Sequence, residues 1–584
     1  MIRIQEGKSM KRKIPLNVLT IVLSAFCLSV AACSNGGSNN NQSSHGDNPS
    51  SLEPASSSIE ESSSSIPEEH YNIVRPTFTP DYTTFAATPE PFAVNMTYYS
   101  DVYSRGFSWF TDSTAADTEL YLVQSDKGQD ADFSNATPIE GTSLEIEYNA
   151  DGNISSKDGS IPKTKGSSND VTLNLYSHKV HVENLEKGKA YSYKIGAEQG
   201  YTYGAFIVEK EQAQSITAVH MSDAQTKDLT KLDVWRNTYT QAVKTAGDGL
   251  DMALYNGDQF DQNNSTGNNK KPSRVLRYTK ALDVISDYKF DIPYMASSGN
   301  HEPSVPYINY LTSDIKYANY ADSGCYYSYD YGFAHFSVLN TNNVNDAQIN
   351  WLKDDLDAAS NAKWKIVMMH ISPYATGDHS VKSDNEKIVE KLTPVFSSKH
   401  VDLVLQAHDH TYNKTLPYKW DAAGYTTTWN NADVVNFEPE VEQLNNRTYD
   451  KNPQGTYYVT TGAAGHRVGA PEASDGIYAE VVKNESGEFV PLNSSKTYRD
   501  AKYKTEMGKI KYDNQYEPYT TGSYASDQHY EVGDLATGCV NAQMFGVLNL
   551  TENTLSYDVY TTTLSDAQSN VAPKLFDSVD ILKA

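Results

Sequence analysis

From about residue 76 to 211, apolar and polar positions alternate in short runs separated by clusters of Gly, Asp, Asn and Ser. Phe107-Ser108-Trp109 is one such run, and Val180, Val182, Leu185, Tyr191, Tyr193 and Ile195 mark others. A period of two over short segments, punctuated by turn residues, predicts an all-β sandwich. Gly188 stands in the turn between two of these strands, where a positive φ is called for.

Beyond residue 215 the period changes. Apolar runs of five to seven residues recur at Ile216–His220, Leu250–Tyr255, Ile292–Ala296, Lys365–Met369, Val401–Gln406 and Thr456–Thr461. Stretches of helical period, such as Leu229–Ala246 and Asn345–Ala359, lie between several of them. The alternation predicts an α/β domain over 215–584. Five of the six strands run directly into a cluster of Asp, Asn or His. Sites in open α/β sheets form beyond the carboxyl ends of strands, so clusters far apart in sequence are expected to converge.

Those clusters are Ser222-Asp223-Ala224-Gln225, Asn256-Gly257-Asp258-Gln259-Phe260-Asp261, Ser298-Gly299-Asn300-His301-Glu302, the histidine of His370-Ile371-Ser372-Pro373-Tyr374, and Ala407-His408-Asp409-His410. Carboxylate, amide oxygen and imidazole suit iron, zinc or manganese, and the absence of cysteine from these blocks argues against a structural zinc site. A bridging carboxylate lets two cations sit about 3.5 to 4 Å apart and share a hydroxide near neutral pH. Each block alone is weak: a Gly-Asp after a strand is commonly a turn, and a His-x-His pair commonly an accident of the surface. Five in succession, 35, 42, 70 and 38 residues apart counting from Asp223, are not matched by chance.

In these blocks the chain resembles the calcineurin-like metallophosphoesterases, and within them the purple acid phosphatase-like branch. The resemblance implies a four-layer α/β (α+β) β-sandwich flanked by helices over 215–584, preceded by an all-β fibronectin III-like sandwich over 76–211. Carried over by position, Asp223 and His410 bind the first metal, Asp258 bridges, and Asn300, His370 and His408 hold the second. His301 then contacts the substrate phosphate and assists the leaving group. Gly455–Gly465 resembles the strand and glycine turn that follow the family's last histidine pair, and Phe545–Ile581 resembles its closing strands. The implied activity is hydrolysis of phosphate monoesters by a metal-bridging hydroxide. A phosphodiesterase or nucleotidase, and a non-catalytic surface-binding protein, stay open as alternatives.

Two departures bear on the first metal. Asp223-Ala224-Gln225 stands where the family commonly has Asp-x-His or Asp-x-Gly, and Asp261 where the purple enzymes have tyrosine. Without that tyrosinate the resemblance implies a colourless protein. The fourth ligand is either Gln225, through its amide oxygen, or Asp261, directly or from behind the ligands. His379, His466 and Arg467 follow the fourth block and the glycine turn, and are candidates for touching substrate at the rim, as are Tyr374 and Tyr412. His220 and His335 sit inside strand patterns and read as core or edge residues.

The amino terminus changes the picture of where this chemistry takes place. Lys11, Arg12 and Lys13 precede an apolar run, Ile14–Val30, that is too short to span a membrane and ends in Val30-Ala31-Ala32-Cys33. This resembles a bacterial lipobox and implies a signal over 1–32, lipidation of Cys33 and an exported, membrane-anchored lipoprotein facing the extracytoplasmic side. Residues 33–70 are rich in Ser and Asn and predict a disordered linker. As a Gly/Ser-type coil its reach is roughly 30 to 36 Å. The chain carries a net charge of −26, and without residues 1–32 its 43 basic residues face 73 acidic ones, a net of −30. Such a surface repels nucleic acid, while bound cations would reverse the potential locally for a phosphate ester. Outside the proposed signal and anchor only Cys325 and Cys539 remain, as a disulfide or as two separate thiols.

Overall fold

The computed structural model describes residues 71–73, 75, 79–80, 87–115, 119–148, 154–156, 173–198, 200–209, 214–225, 231–260, 274–302, 314–321, 324–374, 383–410, 412–415, 417–420, 434–436, 439–465, 481–483, 489–491 and 542–584. The expected signal and linker with Cys33 lie outside these residues, as do Asp261, His379, His466, Arg467 and Cys539. Residues Glu69–Ala584 form one compact unit.

Two central sheets lie face to face. The first has eight strands, in the order Tyr294–Ser297, Met252–Asn256, Ser215–Met221, Gln543–Thr551, Thr554–Thr562, Lys574–Leu582, Arg447–Lys451 and Glu440–Leu444. The second has seven, with Ala334–Val338, Trp364–Ile371, Leu403–Ala407 and Tyr457–Thr461 at its centre. The strands Ser215–Met221, Met252–Asn256 and Tyr294–Ser297 pair in parallel, and so do the four central strands of the second sheet.

Alternation along each strand explains the layers. Ile216, Ala218, Met252 and Leu254 point inward and meet Phe336, Ile366, Met368, Leu405 and Val459 in one core between the sheets. Their neighbours Val219, Met221, Ala253 and Tyr255 face outward, against Trp235, Tyr239, Ala242 and Leu282 of two helices, Leu232–Ala246 and Arg274–Asp283. On the far side Val367, Met369 and Val404 pack under Leu352, Leu356, Leu392 and Phe396 of the helices Asp346–Ala358 and Ser383–Ser398. Helix, sheet, sheet, helix is therefore the layer order. Central strands buried on both faces read as continuous apolar runs, which is how they stood out in the sequence. Each fully buried Leu, Ile or Val contributes about 1.5–3 kcal/mol.

The first helix ends where its sequence pattern ends, at Ala246, and the second is one residue shorter than its pattern at each end. Leu232–Ala246 stops at Gly247, whose φ of 75° ends the α-turn while its N–H still bonds to the Val243 carbonyl. Asn345 caps its helix from outside, accepting from the Gln348 N–H at 3.0 Å, so the helix itself begins at Asp346.

Ahead of this body are two antiparallel sheets. One has five strands, built on Phe92–Thr97, Arg105–Asp112, Leu173–Val182, Thr142–Tyr148 and Ile154–Ser156, and the other has four, built on Ile139–Glu140, Glu119–Gln124, Ala190–Ala197 and Gly200–Ile207. Phe107, Trp109, Leu120, Val180, Tyr193, Ile195 and Phe206 fill the space between them. The opposite face of the five-stranded sheet, with Ala93, Phe110, Ile146 and Leu175, joins the cluster around Trp235. One apolar core thus ties the amino-terminal sheets to the α/β body.

Candidate metal centre

Because the donor-bearing strands of each sheet run parallel, their carboxyl ends open at one edge. There Asp223, Asp258 and Asn300 follow three strands of the first sheet, while His370, His408 and His410 belong to two strands of the second. The site is assembled from two half-sites, one per sheet.

The backbone is bent hard to do this. Asp223, Gln225, Asp258, His408 and His410 all have positive φ, between 38° and 77°. Left-handed backbone is unfavourable for residues with a Cβ and concentrates where function over-determines it. Gly257 has φ 77°, and a Cβ there would fall 2.4 Å from the Gly299 nitrogen, so only glycine fits between these two loops. An irregularity in strand pairing between Met368 and Ile371 surrounds His370.

The side chains converge. Asp258, His370 and His408 place one ligand atom each within 4.8 Å of one another, and Asp223, Asp258 and His410 do the same, so Asp258 belongs to both groups. Asp258 Oδ2 lies 3.3 Å from His370 Nε2, and Asp223 Oδ1 lies 3.3 Å from His410 Nε2. His370 Nε2 is also 2.9 Å from Asn300 Oδ1 and 3.2 Å from His408 Nδ1. Asp258 Oδ1 accepts the His301 backbone N–H at 2.7 Å, and the His301 ring nitrogen Nε2 is 3.8 Å from Asp258 Oδ2. Gln225 sits in the cluster with its amide nitrogen donating to Asp258 Oδ2 at 3.0 Å.

These contacts bring lone pairs together. His370 Nδ1 faces the Asn256 carbonyl at 2.7 Å, and a carbonyl only accepts, so the ring proton is on Nδ1 and Nε2 presents a lone pair. That lone pair confronts an amide oxygen, a second imidazole and a carboxylate. Asp223 Oδ1 is buried and makes no hydrogen bond. Buried acceptors facing one another are costly unless a positive charge sits among them. Burial alone would push the His370 pKa down, but in the absence of a cation the carboxylates of Asp258 and Asp223 outweigh it and hold it up at about 10, so that a second proton then takes the place on Nε2 that a cation would fill. The donor set therefore fits cations, and its oxygen and nitrogen ligands suit iron, zinc or manganese alike.

Several residues without an expected task hold the site. Glu302 accepts the backbone N–H groups of Asp258, Gln259 and Gly299, tying two loops together. Burial, then the charge of Asp258, raises its pKa to about 7. Tyr255 accepts from the Ala224 N–H at 2.8 Å, and Thr341 from the Ile371 N–H at 2.9 Å. The glycine turn meets the first loop directly: Ala464 N–H bonds to the Ser222 carbonyl and Ser222 Oγ to the Gly462 carbonyl. Glu302 closes a quoted motif and was within reach of the sequence; Thr341 carries no such signal. Two rim candidates have other roles. Tyr374 is buried edge-on against Tyr458, and Tyr412 donates to Asp577 at 2.7 Å. His220 is fully buried and neutral, its pKa pushed down to about 3 by burial, and His335 is buried in an ion-pair cluster.

Residues 216–412 match the family model described as calcineurin-like phosphoesterase. Acid phosphatase type 7 of Mus musculus is 25% identical over 316 residues, which are 50% of this chain and 64% of that protein. Purple acid phosphatase 21 of Arabidopsis thaliana is 27% identical over 139 residues, 21% of this chain and 32% of the relative. The chain thus spans less than two thirds of the length of these relatives. Among solved structures, a purple acid phosphatase from yellow lupin (Lupinus luteus) seeds superposes with a TM-score of 0.50 at 14% identity, covering 85% of this chain and 74% of that one. The shared fold, the matched residues and the paired donor groups lead to one statement: residues 216–412 match a calcineurin-like phosphoesterase domain and bring together two groups of candidate metal-binding side chains that share Asp258, in a chain similar to acid and purple acid phosphatases.

Proposed function

We propose that this chain is an exported, lipid-anchored metallophosphoesterase that hydrolyses phosphate monoesters. The observation that carries the reading is the pair of donor groups sharing Asp258. Asp223, Asp258 and His410 would hold one cation, joined by Gln225 once its amide is turned to present the oxygen in place of the nitrogen that now donates to Asp258, and Asp258, Asn300, His370 and His408 would hold the other. Two such cations supply water activated near neutral pH and a positive pole for the phosphoryl oxygens.

The chain's own residues do the rest. His301 N–H engages Asp258 Oδ1 and leaves Oδ2 turned toward both donor groups. The His301 side chain, 11% exposed like that of His410, is partly open, belongs to neither donor group, and is placed to meet the phosphate and give a proton to the departing alkoxide. The acidic body, at −26, favours a small ester over a polyanion. Export and anchoring rest on the basic-apolar run and Val30-Ala31-Ala32-Cys33, and the amino-terminal pair of antiparallel sheets supports a fibronectin III-like reading of 76–211.

The test is release of phosphate by the purified, metal-loaded chain from an aryl monoester and from the matching diester. Asp258→Asn and His408→Ala are expected to remove turnover while leaving the melting profile cooperative. Full turnover in both variants would overturn the reading, and faster turnover of the diester would make the chain a phosphodiesterase.

A further inference from the structure

Three of the side chains that would hold the second cation are tied to a residue outside the ligand set. Asn256 ends the strand Met252–Asn256, is fully buried, and stands two residues before Asp258. Its carbonyl receives the His370 Nδ1 proton at 2.7 Å. Its side-chain Nδ2 donates at 2.7 Å to the carbonyl of Leu405, three residues before His408. Asp258 belongs to the first sheet, and His370 and His408 to strands of the second or the turn beyond them.

A buried amide is costly unless its polar atoms are used, and an apolar side chain in its place would avoid that cost. What the amide adds is a fixed distance between the two sheets at the level where their donors meet. We infer that Asn256 is the positioning residue of the second-cation site: its side chain grips the strand that leads into His408, and its carbonyl fixes the His370 tautomer so that Nε2 faces Asp258. The inference rests on Asp258, Asn300, His370 and His408 being the ligands of that cation. Partners that hold a metal-binding histidine in register set the affinity of the site, with losses of about 10–100-fold when they are removed.

A second polar bridge between the sheets provides the control. Tyr557 bonds to His220 Nδ1 at 2.6 Å and to Thr461 Oγ1 at 2.6 Å, with none of the ligands in the bridge. A residue that merely stabilises the sheet packing should behave like Tyr557.

The experiment uses the full chain loaded with Zn²⁺, elemental analysis after dialysis, and chelator competition for affinity, on the wild type, Asn256→Ala, Asn256→Asp and Tyr557→Phe. The wild type is expected to hold two ions. Both Asn256 variants should keep one at wild-type affinity and bind the other about 10–100-fold more weakly, with kcat reduced and KM little changed. Tyr557→Phe should melt earlier and keep both ions. Wild-type affinity for both ions in the Asn256 variants overturns the inference whatever their melting temperature, and so does equal loss of the second ion in Tyr557→Phe. A wild-type chain that holds no ion overturns the ligand assignment itself, and this inference with it. Asn256→Asp preserves volume should the alanine variant not fold. Should neither fold, ¹⁵N-histidine spectra of the wild type decide: His370 protonated on Nδ1 is expected, and the other tautomer overturns the inference.

Discussion

His370 Nε2 lies 3.3 Å from Asp258 Oδ2 although the proton of the same ring is committed, through Nδ1, to the Asn256 carbonyl. The two acceptors tolerate that distance only with a proton or a cation between them. Cations that bind the folded chain and not the unfolded one stabilise it by mass action, by about 2.7 kcal/mol at a hundred times the dissociation constant. The chelator-treated protein should therefore melt at lower temperature than protein supplied with Zn²⁺ or Mn²⁺. Scanning calorimetry checks this, and identical melting with and without cations would contradict it.

Glu302 spends its carboxylate on three backbone N–H groups, those of Asp258 and Gln259 at 2.8 Å each and that of Gly299. In Glu302→Gln, one of the two oxygens becomes an NH₂ group facing donors. The expected cost is about 1–3 kcal/mol of stability from donors left unsatisfied in a buried place. Because those donors flank Asp258 and Asn300, metal affinity or turnover should also fall about 10–100-fold, and less metal should survive dialysis. Denaturant unfolding and elemental analysis together check both halves. A variant as stable and as metal-rich as the wild type would show that the carboxylate holds nothing.

The α/β body and the donor positions were legible in the sequence, and the residues that hold the donors in place were for the most part not. Strand period, breaks in period and the donors after each strand foretold the α/β body, because central strands buried on both faces must be apolar throughout. The candidate donor positions were readable for a related reason: Asp258, Asn300 and His408 follow strand ends closely, where chain direction alone brings them together. Asn256 and Thr341 were not, since their roles depend on which strands of the second sheet face them, and nothing local records a contact such as Asn256 to Leu405 across 149 residues. Tyr374 misled for the opposite reason. Its place after His370 resembles a rim position, yet the chain turns it into the core against Tyr458.

Gly465 lies so close to the first loop that a Cβ there would come within 1.8 Å of the Ala224 carbonyl oxygen. Backbone cannot yield as a side-chain tip does, so Gly465→Ala must move residues 222–225 and Asp223 with them. Overpacking of this kind costs about 1–3 kcal/mol. The variant should fold, melt earlier and bind the first cation more weakly. Chelator competition is the decisive measurement, and unchanged affinity with a lowered melting temperature would mean that the strain is absorbed on the glycine side.

His335 gives the fold a pH dependence remote from the metal centre. Its Nδ1 lies 2.7 Å from Asp330 and its Nε2 3.0 Å from Asp355, which also accepts from Ser337 at 2.8 Å. Burial disfavours the imidazolium, yet the two aspartates outweigh burial and raise the pKa from 6.5 to about 9. A raised folded-state pKa means that the charged form stabilises the fold below pH 6.5, where the histidine is protonated folded or unfolded, and that this contribution fades as pH climbs toward 9. The shift corresponds to on the order of 2 to 3 kcal/mol, most of it from Asp355, because Asp330 is 75% exposed and screened by solvent. Asp355→Asn should accordingly be destabilised most below pH 6.5, and the difference from the wild type should shrink toward pH 9, leaving only what the hydrogen bonds from Ser337 and Ser328 contribute. Urea unfolding across that range is the check, and a difference between the two proteins that does not change with pH would remove His335 as the titrating group.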